Sequence, residues 1–583
     1  MRTDTLGGLL ERASRRRDVG LRLLDRSEQA RFFPWSEVWS RALDASSRLQ
    51  HAGVGPGDRV ALIYPTSIEF VDALFGCVLA GAVPVPLYPP VRLHRLDEYS
   101  ARTAAMLDAV SAELVLVDRR IRPILGAAVT AAGPRSGCRT LAELANGPGA
   151  AVPRTADDLA LIQFSSGTTV APKPAALSHG AVVAQAVALN GHWPDSDACV
   201  HSGVSWLPLY HDMGLIGCVV TALERPGTMT LIPPELFLAR PAVWLRAIST
   251  ASATISVAPN FAYGLCVEKI GDDDLEGVDL SSWRVALCGA EPVVPRVLRR
   301  FIRRFAPHGL RPEAVTPVYG LSEATLAVTF SAIETPFVSR RFDRDALSRD
   351  GRAVEVADGI ELVSVGRPIG DAAVRIVDAG GAELPDGLIG EILTSGSSLM
   401  AGYYGRPEAT GEVLRDGWLH TGDLGFFHDG ELFLTGRAKD LLIIRGRNHP
   451  PTEVEVAVDG VPGVRTGCSV AVSWLPDGAD GEVLLLLAEI ERRGRASGSG
   501  DIGDACRAAV RTATGLELDR VELLEPGTLP RTSSGKLRRQ ESLRLYLAGE
   551  LLPPGKVKPW KLAGAAVRGA LDVARLNRDR RDG

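Results

Sequence analysis

An alternation limits the fold more than any other feature of this chain. Short aliphatic runs recur, each followed by a polar or glycine-containing turn and then by a stretch of helical periodicity. Arg59–Tyr64 precedes Ile68–Leu79, Trp35–Ala52 reads as a helix before it, and Leu114–Val117 is a further short run. The pattern returns at Leu159–Phe164, Thr254–Ala258 and Arg284–Cys288. Runs this short, bounded by turn residues, read as buried strands, and strands alternating with helices require a largely parallel sheet with helices on its faces. From Glu361 to Leu393 the pattern changes to short strands with Gly and Asp turns, which predicts antiparallel pairing. A boundary is expected at Gly436–Asp440, after the strand Glu431–Leu434. Residues 441–548 read as a compact α/β unit with a flexible loop at Arg492–Gly503.

With 583 residues, the chain can bury a large core without disulfides or metals. Its 65 basic and 70 acidic residues leave a net charge of −5, which excludes a generally basic nucleic-acid binder. The longest uncharged apolar stretch, Ala73–Val91, carries Pro84, Pro86, Pro89 and Pro90, so it is no membrane span. It is expected to be a buried helix ending near Gly81, then a short strand and a turn. The N-terminus lacks the apolar core of a signal peptide, and a cytoplasmic location is expected. Eight cysteines without a CxxC pair read as reduced core thiols. Only seven of the 65 basic residues are lysine: Lys173, Lys269, Lys439, Lys536, Lys556, Lys558 and Lys561. Coding bias accounts for the scarcity; under it, a lysine that persists marks a place for a compact ammonium. In the tail, Leu562, Val567, Leu571 and Leu576 are expected to share one face of a surface helix, with a partner- or membrane-docking helix as the alternative.

Six motifs carry candidate chemistry. After Leu159–Phe164 comes Ser165-Ser-Gly-Thr-Thr-Val-Ala-Pro-Lys173, where Gly167 admits close backbone approach and Ser165, Ser166, Thr168 and Thr169 offer donors to phosphate oxygens beside Lys173. The GxxxxGK[ST] phosphate loop is absent. In Trp206-Leu-Pro-Leu-Tyr-His-Asp-Met-Gly214, His211 stands beside Asp212 in an apolar frame; a satisfied core histidine is the plain alternative. Gly289 and Ala290 in Cys288-Gly-Ala-Glu-Pro292 are small enough for a flat ring to stack at a strand's carboxyl end. Tyr319-Gly-Leu-Ser-Glu-Ala-Thr325 supplies a ring for a base and Glu323 for Mg²⁺, unless Glu323 is only a capping carboxylate. Asp423 in Gly417–Gly425 suits two ribose hydroxyls, and Arg437 the same ribose or a phosphate. The loop Leu529–Lys536 presents Lys536.

In this order the motifs resemble the adenylate-forming superfamily of acyl-CoA synthetases, luciferases and nonribosomal-peptide adenylation domains, up to about residue 548. Within it, the fatty acyl-AMP ligases are most similar. The strings that carry this are SWLPLYHDMGLIG (205–217), APNFAYGLC (258–266), ALCGAEPV (286–293), YGLSEATLAVTF (319–330) and GRAKDLLIIRGRNHPPTEVE (436–455). Ser331–Gly366 falls where these ligases carry an extra insertion, at about 331–366.

The resemblance implies an α/β fold. A large N-terminal domain of layered α/β subdomains with a β-barrel-like portion (1–436) would be joined by a hinge (437–440, with Asp440) to a small mobile α+β C-terminal domain (441–548), followed by a basic tail (549–583). It implies that ATP and Mg²⁺ activate a fatty acid to its acyl-adenylate, which then passes to the phosphopantetheine thiol of a separate acyl carrier protein in polyketide, lipopeptide or lipid biosynthesis. The alternative is a long-chain fatty acyl-CoA ligase. Lys536 and His211 are the implied catalytic residues. The implied nucleotide site is Ser165, Ser166, Gly167, Thr168, Thr169 and Lys173, with Gly289, Ala290, Glu291, Tyr319, Gly320, Leu321, Ser322, Asp423 and Arg437. Glu323 and Thr168 would place Mg²⁺, and His211, Asp212, Met213, Asn260 and Phe261 would line the acyl pocket. One position departs from the family: Val170 stands where most relatives have Gly, and Val does not easily take a positive φ.

Overall fold

The computed structural model describes residues 3–90, 96–165, 173–193, 201–444, 447–476, 482–491, 499–532, 535–553 and 559–579. Its largest sheet has nine strands. Six are consecutive and parallel, in the order Val315–Gly320, Val285–Cys288, Ile255–Ala258, Ser202–Ser205, Thr228–Leu231, Gly20–Leu24. Antiparallel strands finish both edges. A second, all-parallel sheet joins Val83–Leu87, Arg59–Ile63, Leu114–Val117 and Cys138–Arg139. Parallel strands are covered on both faces, which is why Arg59–Ile63 reads as an unbroken apolar run after its first residue. From Ala73 to Pro90 the apolar stretch resolves as expected, into the buried helix Ile68–Leu79 and the buried strand Val83–Leu87; Val91 lies outside the described residues. The antiparallel portion is a five-stranded sheet built on Ala373–Val377, Gly390–Ser395, Trp418–His428 and Glu431–Arg437.

Beyond residue 440 lies a smaller α+β domain. Val464–Trp474, Val483–Ile490 and Arg520–Leu524 form its sheet. Side chains alternate across a strand. Leu484, Leu486 and Ala488 therefore meet the helices Pro451–Val458 and Ser499–Thr514, while Leu485 and Leu487 meet Leu529 and the helix Arg539–Leu547. These two cores share no residue with those of the larger domain.

Three expectations need correction. The strand Leu159–Phe164 does not lead straight into a helix; it pairs antiparallel with Pro174–Ser178, and only then does the helix His179–His192 begin. The intervening loop is closed at its base by the Ser165 N–H donating to the Lys173 carbonyl at 2.9 Å. The flexible loop expected to reach Gly503 is helix from Ser499, because Cys506 and Val510 bury a face of that segment. The tail helix Pro559–Asp579 packs against the larger domain, and Val567, Leu571 and Leu576, expected to share one face with Leu562, do not; the Leu562 side chain lies outside the described residues. At about 100° per residue, Val567 and Leu571 fall opposite Leu576. Val573 and Leu576 join the core of the second sheet, while Val567 and Leu571 are exposed. Gly569 meets Gly126 so closely that a Cβ on Gly126 would lie 2.2 Å from the Gly569 Cα. The Asn577 side chain accepts from the Cys138 N–H at 2.9 Å and donates to its carbonyl at 2.7 Å, adding a fourth strand's edge to the dock.

Seven cysteines are free and buried; Cys199 lies outside the described residues. Among the described residues no helix is long and apolar enough to cross a membrane.

Candidate active site

A cleft of about 1830 Å³ opens at the carboxyl ends of the parallel strands, where ligands sit in sheets of this kind, and the smaller domain closes its other side. Trp206, Asn260, Ala290, Glu291 and Leu321, each just beyond one of those strands, line it.

His211 and Asp212 follow the strand Ser202–Ser205. His211 Nδ1 lies 2.7 Å from Asp212 Oδ1, which also accepts the Met213 N–H at 2.7 Å. Asp212 Oδ2 accepts the hydroxyl of Ser322, from the Tyr-Gly-Leu-Ser-Glu motif. Burial alone would raise the Asp212 carboxyl, but the charge and hydrogen bond of His211 and the Ser322 hydroxyl outweigh it and hold it at about 2. His211 Nε2 is buried without a hydrogen-bond partner, on a residue that lines the cleft. The arrangement ties one ring nitrogen to a carboxylate and leaves the other for a ligand.

Lys536 enters from the smaller domain. Its segment is held by the Thr532 N–H donating to the Lys536 carbonyl at 2.8 Å and the Lys536 N–H donating to Thr532 Oγ1 at 3.1 Å. Burial depresses the ammonium's proton affinity; Asp212 opposes that, Arg437 adds to it, and Glu291 and Asp423 oppose it. A compact, half-buried cation thus stands within electrostatic reach of three carboxylates contributed by the larger domain.

Asp423 and Arg437 are cross-strand neighbours. Arg437 Nε donates to Asp423 Oδ1 at 2.8 Å, and the Tyr319 hydroxyl donates to Oδ2 at 2.8 Å. Each oxygen keeps acceptor capacity for one more donor, so a ribose diol still fits. Glu291 accepts the Phe261 N–H at 2.5 Å and so caps the helix Asn260–Lys269, and burial raises its carboxyl. Gly289 is required by sheet packing: a Cβ there would sit 2.7 Å from Val318 Cγ2. Met213, Asn260 and Phe261 line the cleft, but the neighbouring Tyr263 does not. Tyr263 is fully buried, with its hydroxyl on the Leu287 carbonyl at 2.7 Å, and belongs to the core.

Glu323 lines the cleft and accepts the Tyr403 hydroxyl at 2.9 Å. The ammonium of Lys173 lies 4.8 Å from the centre of the same ring. Tyr403 therefore joins the candidate metal carboxylate to Lys173, a contact sequence reasoning missed, since Gly402-Tyr-Tyr carries no cue beyond its aromatic pair. Arg539 was missed as well. It holds Glu455 with two bonds (2.7 and 2.8 Å) and reaches the buried Asp440 at 3.5 Å, so it grips the expected hinge; as one of many arginines it had no signal of its own. Ser166, Gly167, Thr168, Thr169 and the variant Val170 lie outside the described residues, as do Arg445 and Gly446.

Residues 12–404 match the family described as AMP-binding enzyme. The chain belongs to that family. This AMP-binding enzyme is 34% identical over 552 residues to the long-chain-fatty-acid–AMP ligase FadD26 of Mycobacterium marinum, covering 90% of this chain and 93% of the relative. It is 35% identical over 544 residues to a Caulobacter vibrioides protein provisionally named an acyl-CoA synthetase, covering 91% of this chain and 93% of that one. Among solved structures, one from a study of fatty acyl-adenylate ligases of E. coli and L. pneumophila superposes with a TM-score of 0.86 at 33% identity, over 94% of this chain and 99% of the other.

Proposed function

We infer that the chain is a fatty acyl-AMP ligase. The observation that carries this is convergence. Lys536 of the smaller domain, the open nitrogen of His211 and the Tyr319–Asp423–Arg437 group of the larger domain all face one cleft. A fatty acid carboxylate oxygen attacks the α-phosphorus of ATP, a P–O bond forms, the bond to the β-phosphate breaks, and diphosphate leaves with that electron pair. Two anions must meet, so the chain's task is to neutralise charge and align the in-line attack. Lys536 bridges carboxylate and α-phosphate, and His211 donates from Nε2 to the same oxygens. Asp423 with Arg437 holds the ribose, and Tyr319 with the 289–291 turn frames the base. Ser165 and Lys173 anchor the phosphate loop, to which Ser166–Thr169 belong.

Glu323 suits Mg²⁺, which takes one or two protein carboxylates and otherwise phosphate oxygens and water; Thr168 would be its second contact. Bound there, the ion would neutralise the phosphates as charge develops. In the second half-reaction a phosphopantetheine thiol attacks the acyl carbon, a thioester forms, and AMP leaves with the anhydride electrons. The acceptor is a separate carrier protein, and the location is cytoplasmic, in keeping with the buried free thiols. Residues 441–548 swing about 437–440 between the two steps, with Asp440 as the pivot that Arg539 grips.

The rival acceptor, CoA, would use the same first step. The 331–366 segment supports the carrier reading by gripping the smaller domain: Arg344 donates to Glu453 at 2.5 Å and to the Ala513 carbonyl at 2.6 Å, and Arg447 meets Asp345 at 3.4 Å. Incubation with ATP, Mg²⁺ and a panel of acids, read by mass spectrometry, tests the first step. Acyl-adenylates of fatty acids are expected, and their absence with every acid would remove the assignment.

A further inference from the structure

Two arginines, Arg102 in the wall of the cleft and Arg538 just beyond the Lys536 segment, have no ion-pair partner among the described residues. Arg538, two residues beyond Lys536, is only 4% exposed, yet its Nε is buried without a hydrogen-bond partner. Arg102, on the helix Leu96–Ala109 of the larger domain, has the same unpartnered Nε. Among the described residues neither guanidinium makes a side-chain hydrogen bond or ion pair. The contrast with Arg539 next door is direct, since that side chain is held by Glu455 and Asp440. Burial depresses the proton affinity of Arg538, Arg102 depresses it further, and Glu541 and Glu98 only partly offset this. Both Glu541 oxygens are already taken by Arg544, at 2.9 and 3.0 Å.

A buried guanidinium facing another cation is costly unless an anion with several acceptor oxygens lies between them. The position says which anion. Arg102 shares a narrow niche with Ser165, His211 and Thr532; Arg102, Ser165 and His211 also line the main cleft, so the niche is its side branch. Ser165 begins the phosphate loop, and Thr532 and Arg538 arrive with Lys536. Planar guanidinium forks match phosphate oxygens.

We propose that Arg102 and Arg538 form a two-domain oxyanion site for the terminal phosphate of the diphosphate leaving group. The proposal rests on the adenylating reading above. Arg538 travels with Lys536, so the site exists only while the smaller domain holds this pose. Withdrawal of that domain for the transfer step removes one of the two arginines and lets diphosphate leave.

The test is ATP–diphosphate exchange with labelled diphosphate in the full chain, comparing Arg102→Ala, Arg538→Ala and the double variant. Each single change is expected to raise the KM for diphosphate about tenfold, the loss of one charge-assisted contact. The double variant is expected to lose less than the product of the two, because both serve one ligand. The KM for the fatty acid, and transfer from preformed acyl-adenylate to a phosphopantetheinylated carrier, should stay within about twofold. An unchanged diphosphate KM in Arg102→Ala overturns the proposal, and this variant lies on a partly exposed helix position that tolerates truncation. A defect confined to the carrier KM also overturns it, by assigning the arginines to the phosphate of the pantetheine arm. If the unaltered chain shows no acid-dependent exchange, the adenylating reading fails. Calorimetry with inorganic diphosphate then decides the site alone: binding lost in Arg102→Ala upholds it, and no binding to the unaltered chain removes it.

Discussion

Asp212→Asn is the sharpest probe of the proposed catalytic group. The side chain keeps its size, its place in the cleft wall and an acceptor for the Met213 N–H, but loses the charge that faces His211. The structure sets the scale: the Asp212 carboxyl is held at about 2, against an ordinary 3.8, with His211 the largest favourable contributor. A displacement of about 1.8 pKa units corresponds to about 2.4 kcal/mol, or about sixtyfold in rate, for a buried group whose partner is needed in charged form. The sign follows from the lowered value: the stabilisation of the carboxylate is complete above its ordinary pKa and is lost as pH falls through about 2. The reason it reaches the rate is tautomeric. With Nδ1–H on Asp212, a neutral His211 would turn a lone pair toward the anions, and only the imidazolium donates from both nitrogens. Single-turnover adenylate formation at saturating ATP and acid should therefore slow about sixtyfold in Asp212→Asn, with the KM for ATP little changed. In His211→Ala the same substitution should add almost nothing, because Asp212 acts through His211. A rate within twofold of the unaltered chain, or full additivity in the double variant, would refute the reasoning.

Other outcomes follow from the same geometry. Lys536→Ala should abolish adenylate formation while ATP binding, read by calorimetry, largely survives. Because burial lowers the Lys536 ammonium, activity should fall on the alkaline side below the ordinary lysine value of 10.5, as the cation is lost with rising pH. Tyr403→Phe keeps the ring over Lys173 but removes the hydroxyl from Glu323, a bond to a charged group worth about 1.5–3 kcal/mol; the Mg²⁺ needed for half-maximal diphosphate release should rise at least tenfold. Asn577→Ala breaks both bonds to the Cys138 backbone, so limited proteolysis should cut the tail near residue 553 faster while adenylate formation persists.

Much of the fold was legible because buried parallel strands are nearly continuous apolar runs. Leu114–Val117 and Ile68–Leu79 have the bounds their sequences predict, and the cleft falls at strand ends, where the motifs stand. What escaped is what local sequence does not encode. The return of the chain after Phe164 depends on pairing with Pro174–Ser178, and the tail's dock depends on a surface made by Gly126 and Cys138, more than 400 positions away. The site residues found by motif were those whose chemistry differs from their surroundings, such as His211 in an apolar frame or Lys536 in an arginine-rich chain. Tyr403, Arg539 and the Ser322–Asp212 bond were hidden because each works through another residue. Of the seven lysines, Lys536 lines the cleft and Lys173 lies over the Tyr403 ring beside it, while the scarcity of lysine carried no signal for the others.

The chain activates its acid for a carrier rather than for CoA in the proposed function. The direct measurement supplies ATP, Mg²⁺ and a long-chain acid, then either CoA or a phosphopantetheinylated carrier protein, and follows the acyl group by mass spectrometry. Acyl-adenylate and acyl-carrier are expected, with no appreciable acyl-CoA. Rapid acyl-CoA formation would contradict the proposed function.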